Sequence, residues 1–133
     1  MVRPANWQEV GHLVRASYEE QGIGANPSPA HGYLAYEEDG KVVACQGWRN
    51  LGWLYAELCH LYVMPSHRKR GIAKKLVQEA INRLSAKVIL STVLETNKVS
   101  QAVLRKCGFQ TVGTCSSPIS GRTLLVFAYV KTE

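Results

Sequence analysis

Apolar residues recur at helical spacing in three segments of the chain. The first segment holds Trp7, Val10, Leu13, Val14 and Tyr18. It predicts a helix over residues 6–20, in which Asn6 and Glu9 have the form of an N-cap and its capping-box partner. The second stripe predicts an amphipathic helix over about residues 71–85, and the third predicts a short helix over residues 97–108.

Runs of β-branched and aromatic residues between these helices predict strands. Residues 33–38 and 41–49 flank an Asp-Gly turn and predict a β-hairpin. The later predicted strands cover residues 53–63, 88–93, 110–115 and 123–131. The Gly- and Pro-rich stretch 22–29 predicts a loop, with a short turn of helix near residues 29–31.

With a strand before the first helix, the predicted order is β-α-β-β-β-α-β-α-β-β. This order indicates an α/β protein of the α+β type, with a single mixed, mostly antiparallel sheet of six to seven strands flanked by helices. The crossover from the fourth strand through the long helix to the fifth requires those two strands to be parallel. The length of 133 residues suits one core, so we expect one domain over residues 1–133.

Composition argues against several other classes of protein. No apolar run approaches the ~20 residues that span a membrane, and charged residues near the start of the chain argue against a signal peptide. The four cysteines show no Cys-x-x-Cys pair, so we expect reduced thiols and a cytoplasmic protein. No spacing of His, Cys, Asp and Glu supports a metal site.

The most informative segment joins the fourth predicted strand to the long helix. Met64-Pro65 ends the strand, and a basic loop that contains Gly71 leads into the helix. The unpaired N–H groups at a helix N-terminus attract phosphate, and a glycine lets the backbone approach it closely. Residues 68 to 87 include seven Lys or Arg and one acidic residue, Glu79, so their local net charge is +6. This equals the formal net charge of the whole chain. We therefore predict that this loop binds a phosphate-bearing ligand, although its spacing fits neither a mononucleotide nor a dinucleotide motif.

Two motifs resemble the signatures of the GNAT superfamily of N-acetyltransferases. The signature Arg/Gln-x-x-Gly-x-Gly/Ala, which grips the pyrophosphate of acetyl-CoA in that family, is matched at Arg68, Gly71 and Ala73. The signature Asn-x-x-Ala-x-x-Leu-Tyr-x-Lys-x-Gly-Phe is matched at Asn97, Lys106, Gly108 and Phe109. Departures from it occur at Ser100, Val103 and Leu104.

The resemblance implies the acyl-CoA N-acyltransferase fold, in which the parallel central strands splay apart. It also implies acetyl-CoA as the acyl donor, with its pantetheine arm in the gap, where its amides take backbone hydrogen bonds that a neighbouring strand would have taken. The implied cofactor-binding residues are Leu61, Tyr62, Val63, Arg68, Lys69, Arg70, Gly71, Ile72, Ala73, Lys74, Asn97 and Lys106.

Acetyl transfer to an amine requires a base, hydrogen-bond donors for the developing oxyanion, and a proton for the leaving thiolate. Glu57 is the predicted base because several relatives carry a catalytic glutamate at this offset, and His60 is the alternative. Leu104 stands where many relatives have the Tyr that protonates the thiolate. Either CoA leaves as a thiolate, or Ser100, Tyr62 or Cys107 supplies the proton.

The predicted acceptor site is lined by Tyr18, Trp48, Arg49, Trp53, Tyr55 and Arg122. These residues could form an aromatic cleft with an anion anchor, for example for an amino acid's carboxylate, and ordinary hairpin packing is the alternative. The acceptor could be a small-molecule amine or an amine of a peptide or protein. A homodimer is compatible with the sequence, and no membrane partner is indicated.

Two other functions compete with an acetyltransferase. A non-catalytic acyl-CoA-binding or sensory domain of the same fold would keep the phosphate loop and lose the base and the acid. A nucleic-acid-binding module would also use the basic run at residues 67–70, but stacking aromatic residues are not interleaved with it.

Overall fold

Seven strands and three α-helices follow one another in the predicted order in the computed structural model, which describes residues 1–132. They are β1 (Val2–Ala5), α1 (Trp7–Glu20), β2 (Gly32–Glu38), β3 (Lys41–Asn50), β4 (Tyr55–Val63), α2 (Ile72–Arg83), β5 (Val88–Leu94), α3 (Lys98–Lys106), β6 (Gln110–Ser116) and β7 (Thr123–Val130). One turn of 3-10 helix, Pro65–His67, follows β4. The predicted fold class is therefore confirmed. Glu133, the last residue of the predicted domain, lies outside the described residues.

The predicted helix and strand boundaries lie within one or two residues of the observed ones, and two differences have an identifiable cause. Residues 29–31 form no helical turn, and the His31 N–H donates instead to the Trp48 carbonyl. The fourth strand begins at Tyr55 rather than at residue 53, because the Leu51 N–H donates to the Tyr55 carbonyl and closes a turn there.

All seven strands belong to one sheet of order β1-β2-β3-β4-β5-β7-β6, in which β4 and β5 form the parallel pair. Their pairing covers residues 55–58 of β4 and 88–91 of β5. At the last pair the Ser91 hydroxyl donates to the Leu58 carbonyl at 3.2 Å. Both strands continue beyond this point without pairing to each other, so the sheet opens between them as the resemblance implied.

The two faces of the sheet carry separate sets of buried side chains. Because side chains alternate along a strand, Leu34, Ala44 and Leu58 face the core under α2 and α3. Tyr33 and Cys45 face the opposite core, which is closed by α1. Helix α1 covers β2, β3 and β4 on one face of the sheet. On that face, the end of the helix lies beside the opening between β4 and β5.

Side chains fix where α1 begins. The predicted capping box is present, since the Glu9 N–H donates to Asn6 Oδ1 and the Asn6 N–H donates to the Glu9 carboxylate, both at 3.1 Å. Arg3 on β1 donates to Glu9 at 2.9 Å and to Glu37 on β2 at 2.9 Å, which ties the helix to the edge of the sheet. No helix among residues 1–132 is long and apolar enough to cross a membrane.

A close approach between β3 and Tyr33 makes a glycine necessary at position 47. A Cβ added to Gly47 would lie 2.7 Å from the Tyr33 ring and 3.1 Å from the Cys59 carbonyl oxygen. We expect Gly47→Ala to lower the free energy of unfolding by about 1–3 kcal/mol, the usual cost of overpacking a core. Urea denaturation measures this change. Gly24→Ala is the control, because a Cβ there meets nothing within 4 Å, and its stability should be equal to the wild type or slightly higher. Equal urea midpoints for the two variants would contradict the close packing of Gly47 against Tyr33.

Candidate active site

A cavity of about 300 Å³ lies where β4 and β5 begin to separate. We call it the central cavity. Its walls include Tyr18 and Ile23 from the end of α1 and the loop after it, Arg49 and Glu57 from β3 and β4, Thr92 and Leu94 from β5, and the β6–β7 loop at residues 117–120. Arg49 and Glu57 are the only Lys, Arg, Asp or Glu residues among the described residues that line it.

Arg49 and Glu57 face each other across the β3–β4 ladder as register partners. Their charged groups lie 3.8 Å apart, and their side chains are 30% and 27% exposed. The guanidinium of Arg49 also donates to the Ser28 carbonyl at 3.3 Å. The pair therefore presents one positive and one negative group to the cavity at almost the same depth.

A β-bulge in β4 follows directly after Glu57 and Leu58. The β3–β4 register shifts there, so that His60 and Leu61 together oppose Gln46. His60 takes the left-handed backbone conformation with φ 59°. The buried Gln46 side chain donates to the Cys59 carbonyl at 2.8 Å, which satisfies a group that the irregular ladder would otherwise leave unpaired.

The bulge turns the His60 imidazole into the aromatic cluster under α1. Its ring stacks on Tyr33 at a centroid distance of 5.9 Å and contacts the rings of Tyr18 and Trp7. Nδ1 is hydrogen-bonded to the Tyr33 hydroxyl at 2.8 Å, and that hydroxyl also accepts from the Ala30 N–H at 2.9 Å. Burial, aided by the positive charge of Arg49, lowers the pKa of His60 from 6.5 to about 4. His60 is therefore neutral at physiological pH.

A second cavity, of about 540 Å³, follows the outer part of β4 to the start of α2. We call it the basic groove. The charged residues lining it are Glu20, Arg68, Lys69, Lys74, Lys106 and Arg122, five cationic groups against one carboxylate. The backbone of residues 61–63 lies along it, at the part of β4 that β5 does not pair with.

The N-terminus of α2 opens into the basic groove. Gly71 is the N-cap residue, with φ 78° and open space around the position that a Cβ would take. Glycine has no side chain that could cap the helix, so the first N–H groups of α2 are available to an external partner. Ile72, Ala73 and Lys74, which carry these groups, all line the groove. This is the arrangement expected of a site for phosphate groups.

Arg68 lies across the basic groove. Its Nε donates to the Val63 carbonyl at 2.9 Å, and its Nη2 bonds to Glu20 at the end of α1 at 2.7 Å. The guanidinium also sits over the Tyr62 ring, 5.3 Å from the ring centroid. These contacts join the loop to α1 over the place where a ligand would run along β4.

The two cavities meet where the strands separate. Five residues line both of them: Ser17, Gln21, Leu61, Asn97 and Ser100. Asn97 Oδ1 accepts from the Ser100 N–H at 3.2 Å, which caps α3 and fixes both residues at this junction. A ligand in the basic groove can thus present one end to the central cavity.

Most of the predicted cofactor-binding residues line the basic groove. They are Leu61, Tyr62, Val63, Arg68, Lys69, Gly71, Ile72, Ala73, Lys74, Asn97 and Lys106. Arg70 is the exception, because its guanidinium is held by Glu38 at 3.0 and 3.2 Å and does not line the groove. Glu57, His60 and Ser100, the predicted catalytic residues, all line the central cavity.

The predicted acceptor residues lie in three places. Tyr18 and Arg49 line the central cavity, whereas Arg122 lines the basic groove and donates to the Gln21 carbonyl at 2.7 Å. Trp48, Trp53 and Tyr55 line neither cavity, so these three form no aromatic cleft around Arg49, and the alternative of hairpin packing describes them.

The strand geometry explains why these three residues line neither cavity. Trp48 packs against the core on the α2 face and covers Gly32, where a Cβ would lie 2.3 Å from its ring. Trp53 and Tyr55 lie at the end of β4 remote from the opening, and they are 88% and 44% exposed.

Several lining residues were not predicted from the sequence. Glu20 and Gln21 end α1, and Ile23 and the loop 117–120 lie in segments without a recognisable motif. Glu20 and Gln21 directly follow the predicted acceptor residue Tyr18 on the same helix, which is the one signal that could have indicated them. The position of the β6–β7 loop depends on long-range pairing and carried no such signal.

The thiol of Cys59 lines the central cavity but is poorly suited to act as a nucleophile. Burial raises the pKa of Cys59 to about 12, and that of the neighbouring Cys45 likewise to about 12. Since the thiolate is the reactive form, neither thiol is suited to nucleophilic attack.

Comparison with known proteins agrees with this geometry. The sequence model of the acetyltransferase (GNAT) family matches residues 5–109. The chain therefore belongs to the acetyltransferase (GNAT) family, and its enzyme class is that of an acetyl-CoA-dependent acetyltransferase. No significant match was found among curated proteins.

Solved structures with the same fold share little sequence with this chain. A GNAT family acetyltransferase from Elizabethkingia anophelis with acetyl-CoA bound is 9% identical, with a TM-score of 0.76 over 98% of this chain and 97% of that chain. A mutant of spermidine N-acetyltransferase from Vibrio cholerae is 14% identical, with a TM-score of 0.77 over 98% and 94%. Ribosomal-protein-alanine N-acetyltransferase from Brucella melitensis is 18% identical, with a TM-score of 0.68 over 98% and 99%. These likenesses show the fold, and the acceptors in their names differ.

The environment of His60 gives a prediction for the pH dependence of stability. Its pKa is lower in the folded chain, about 4, than the 6.5 of an unfolded chain, so the unfolded state binds the proton more tightly. The contribution of His60 to stability is complete above about pH 6.5 and is lost as the pH falls towards 4. His60→Asn, which tolerates the left-handed backbone, should therefore show a smaller loss of urea midpoint between pH 7 and pH 5 than the wild type. The same substitution at the exposed His12 should keep the wild-type loss, and equal losses in all three proteins would contradict the burial of His60.

Proposed function

We propose that this protein transfers the acetyl group of acetyl-CoA to a primary amine by direct attack of the amine while donor and acceptor are both bound. The observation that carries the proposal is the junction of the two cavities. The basic groove suits the phosphates and pantetheine of the donor, and the central cavity holds the Glu57 carboxylate beside Arg49. The bound donor supplies an activated acetyl thioester at the junction.

The residues of the basic groove hold the donor in this proposal. The N–H groups of Ile72, Ala73 and Lys74 and the side chains of Arg68, Lys69 and Lys106 bind its phosphate groups. The backbone of Leu61, Tyr62 and Val63 pairs with its pantetheine amides in place of a neighbouring strand. Asn97 fixes the start of α3 beside the thioester end.

Glu57 is the base in this proposal. A neutral amine must attack, so the ammonium form that prevails at neutral pH has to lose a proton, directly or through a water molecule. No hydrogen bond to the Glu57 carboxylate is present among residues 1–132, so its lone pairs are available. His60 is less suited to the task, because Nδ1 is bonded to Tyr33, Nε2 is buried, and its pKa of about 4 makes it a weak base.

Ser100 is the residue that we propose as hydrogen-bond donor to the sulfur of CoA as it leaves as a thiolate. It lines both cavities, and its hydroxyl has no hydrogen bond within the described part of the chain. Leu104 is 3% exposed in the core under α3 and cannot serve as the acid. A serine hydroxyl is a weaker acid than a thiol, so Ser100 keeps its proton and stabilises the departing thiolate by a hydrogen bond, and the thiolate takes its proton from solvent.

The free thiols bear on the predicted location of the protein. All four cysteines are unpaired, as expected of a reducing compartment, and this supports the cytoplasmic location that we propose. The homodimer stays a prediction from the sequence.

Donor binding can be tested at the N-cap of α2. Gly71→Glu places a negative charge and a strained side chain at the proposed phosphate site, so we expect it to abolish acetyl-CoA binding measured by calorimetry. Wild-type binding should weaken with added salt because its contacts are to phosphates. Gly52→Glu, also at a glycine with positive φ and open space but at the far end of β4, is the matched control and should bind normally. Normal binding by a folded Gly71→Glu protein would refute the phosphate site.

The role of Glu57 can be tested by thiol release across a panel of amines. Glu57→Gln should lower turnover by about 10²-fold or more, the usual scale of general-base catalysis, with little change in acetyl-CoA binding. Glu19→Gln, at an exposed position on α1, should keep wild-type turnover. Acetyl-CoA binding without thiol release for any amine would instead favour the non-catalytic acyl-CoA-binding domain.

A further inference from the structure

The charge of the central cavity is balanced, unlike that of the basic groove. Arg49 supplies one positive charge and Glu57 one negative charge, and His60, with a pKa of about 4, adds none at neutral pH. The remaining lining residues of the described chain are hydroxyl, amide, thiol or apolar side chains. An acceptor in this cavity therefore meets one cation and one anion side by side.

The ion pair of Arg49 and Glu57 is longer than other arginine–carboxylate ion pairs of this protein. Its charged atoms are 3.8 Å apart, whereas the pairs of Arg3 with Glu9 and of Arg68 with Glu20 close to 2.9 and 2.7 Å. Arg49 donates one hydrogen bond, to the Ser28 carbonyl, and Glu57 accepts none from residues 1–132. Both groups keep hydrogen-bonding capacity that faces the cavity, since a guanidinium has five N–H donors and a carboxylate about four acceptor positions.

We propose that the acceptor is a small α-amino acid, with its carboxylate bound by Arg49 and its amine beside Glu57. This inference rests on the proposed function, because it assigns the acceptor of that same site. The planar guanidinium matches a carboxylate through two parallel hydrogen bonds. The order of the strands agrees with this orientation. Glu57 on β4 lies on the β5 side of Arg49, one residue before the last β4–β5 pair, so the amine lies nearer than the carboxylate to the opening between these strands.

The walls of the cavity favour an apolar side chain on the amino acid. Ile23, Pro118, Ile119 and Leu124 line it, together with the serine hydroxyls of the loop 117–120. A volume of about 300 Å³ is at the lower end of the range for small-molecule sites, which suits an amino acid.

The same charges disfavour the other classes of amine. A polyamine carries several positive charges, and it would meet one carboxylate together with the cation of Arg49. The N-terminus of a peptide has no adjacent carboxylate, so Arg49 would lose water without gaining a new partner in return. Such a loss of solvation lowers affinity.

The test compares amino acids with matched amines that lack the carboxylate. Thiol release from acetyl-CoA is measured with alanine, leucine, methionine and phenylalanine, with the carboxamide of each, with 3-methylbutylamine and with spermidine. The carboxamides have the less basic amines, so chemistry alone favours them, and a preference for the free acids must come from binding. We expect kcat/KM for at least one amino acid to exceed that of its carboxamide by about 10-fold to 100-fold, the range for hydrogen bonds to a charged group.

Substitution of Arg49 identifies the group responsible. Arg49→Gln should raise KM for the preferred amino acid and erase its advantage over the carboxamide, with acetyl-CoA affinity unchanged. Arg83→Gln, on the last turn of α2 and paired with Glu79 at 3.0 Å, is the matched control and should keep the advantage. The comparison of acids with carboxamides in the wild type decides the question even if Arg49→Gln does not fold.

A binding measurement separates this inference from the proposed function. Calorimetry of the preferred amino acid, or of leucine if none is turned over, is carried out on the protein saturated with CoA, in wild type and Arg49→Gln. Binding that depends on Arg49, without turnover of any amine, would support the acceptor assignment and overturn the proposed catalysis. The acceptor assignment would be overturned if amines are acetylated but no free amino acid has a higher kcat/KM than its carboxamide. It would also be overturned if a folded Arg49→Gln protein still prefers the free acid. Either result would leave the proposed catalysis intact.

Discussion

The end of the parallel ladder between β4 and β5 is the constraint on which the rest of the site depends. Four residue pairs hold the strands together, and at the last pair the Ser91 hydroxyl donates a hydrogen bond to the Leu58 carbonyl. Beyond it, the backbone of β4 up to Val63 has no strand on that side. The peptide groups on this side lack a strand partner, so this edge can pair with a ligand that carries amide groups. The same opening gives the central cavity its access to the basic groove.

The two cavities on either side of the junction differ in charge, and the difference determines what each can bind. The basic groove holds five cationic groups and attracts a polyanion. Its single carboxylate, Glu20, already bonds Arg68, so an arriving phosphate exchanges one charged partner of that guanidinium for another. In the proposed donor complex the net gain at Arg68 is therefore small, and we expect the N–H groups of α2 behind Gly71 to supply much of the affinity. Glu20 keeps Arg68 ordered at the edge of the groove.

Sequence reasoning predicted the residues of the basic groove whose positions depend on local structure. Arg68, Gly71 and Asn97 belong to a loop, a helix N-terminus and a helix cap, and each of these forms within a few residues. The acceptor side depends on how distant segments align. Trp48, Trp53 and Tyr55 looked like neighbours of Arg49 along the chain, but alternation turns Trp48 to the other face, and the other two lie beyond the cavity. That Arg49 faces Glu57 follows from the β3–β4 register, which the sequence alone does not specify.

The β-bulge determines the surroundings of His60, the alternative to Glu57 as the base. Without it, strict alternation would place His60 on the α2 face with Leu58, away from Glu57. The extra residue opposite Gln46 reverses the alternation, and His60 joins Tyr33 on the α1 face. There it is enclosed and neutral, and its ring fills the wall beside the cavity. Two titratable residues three positions apart on one strand thus acquire different chemistry from their surroundings. Glu57 keeps an open carboxylate beside Arg49, and His60 becomes part of the packing that holds the strand in place.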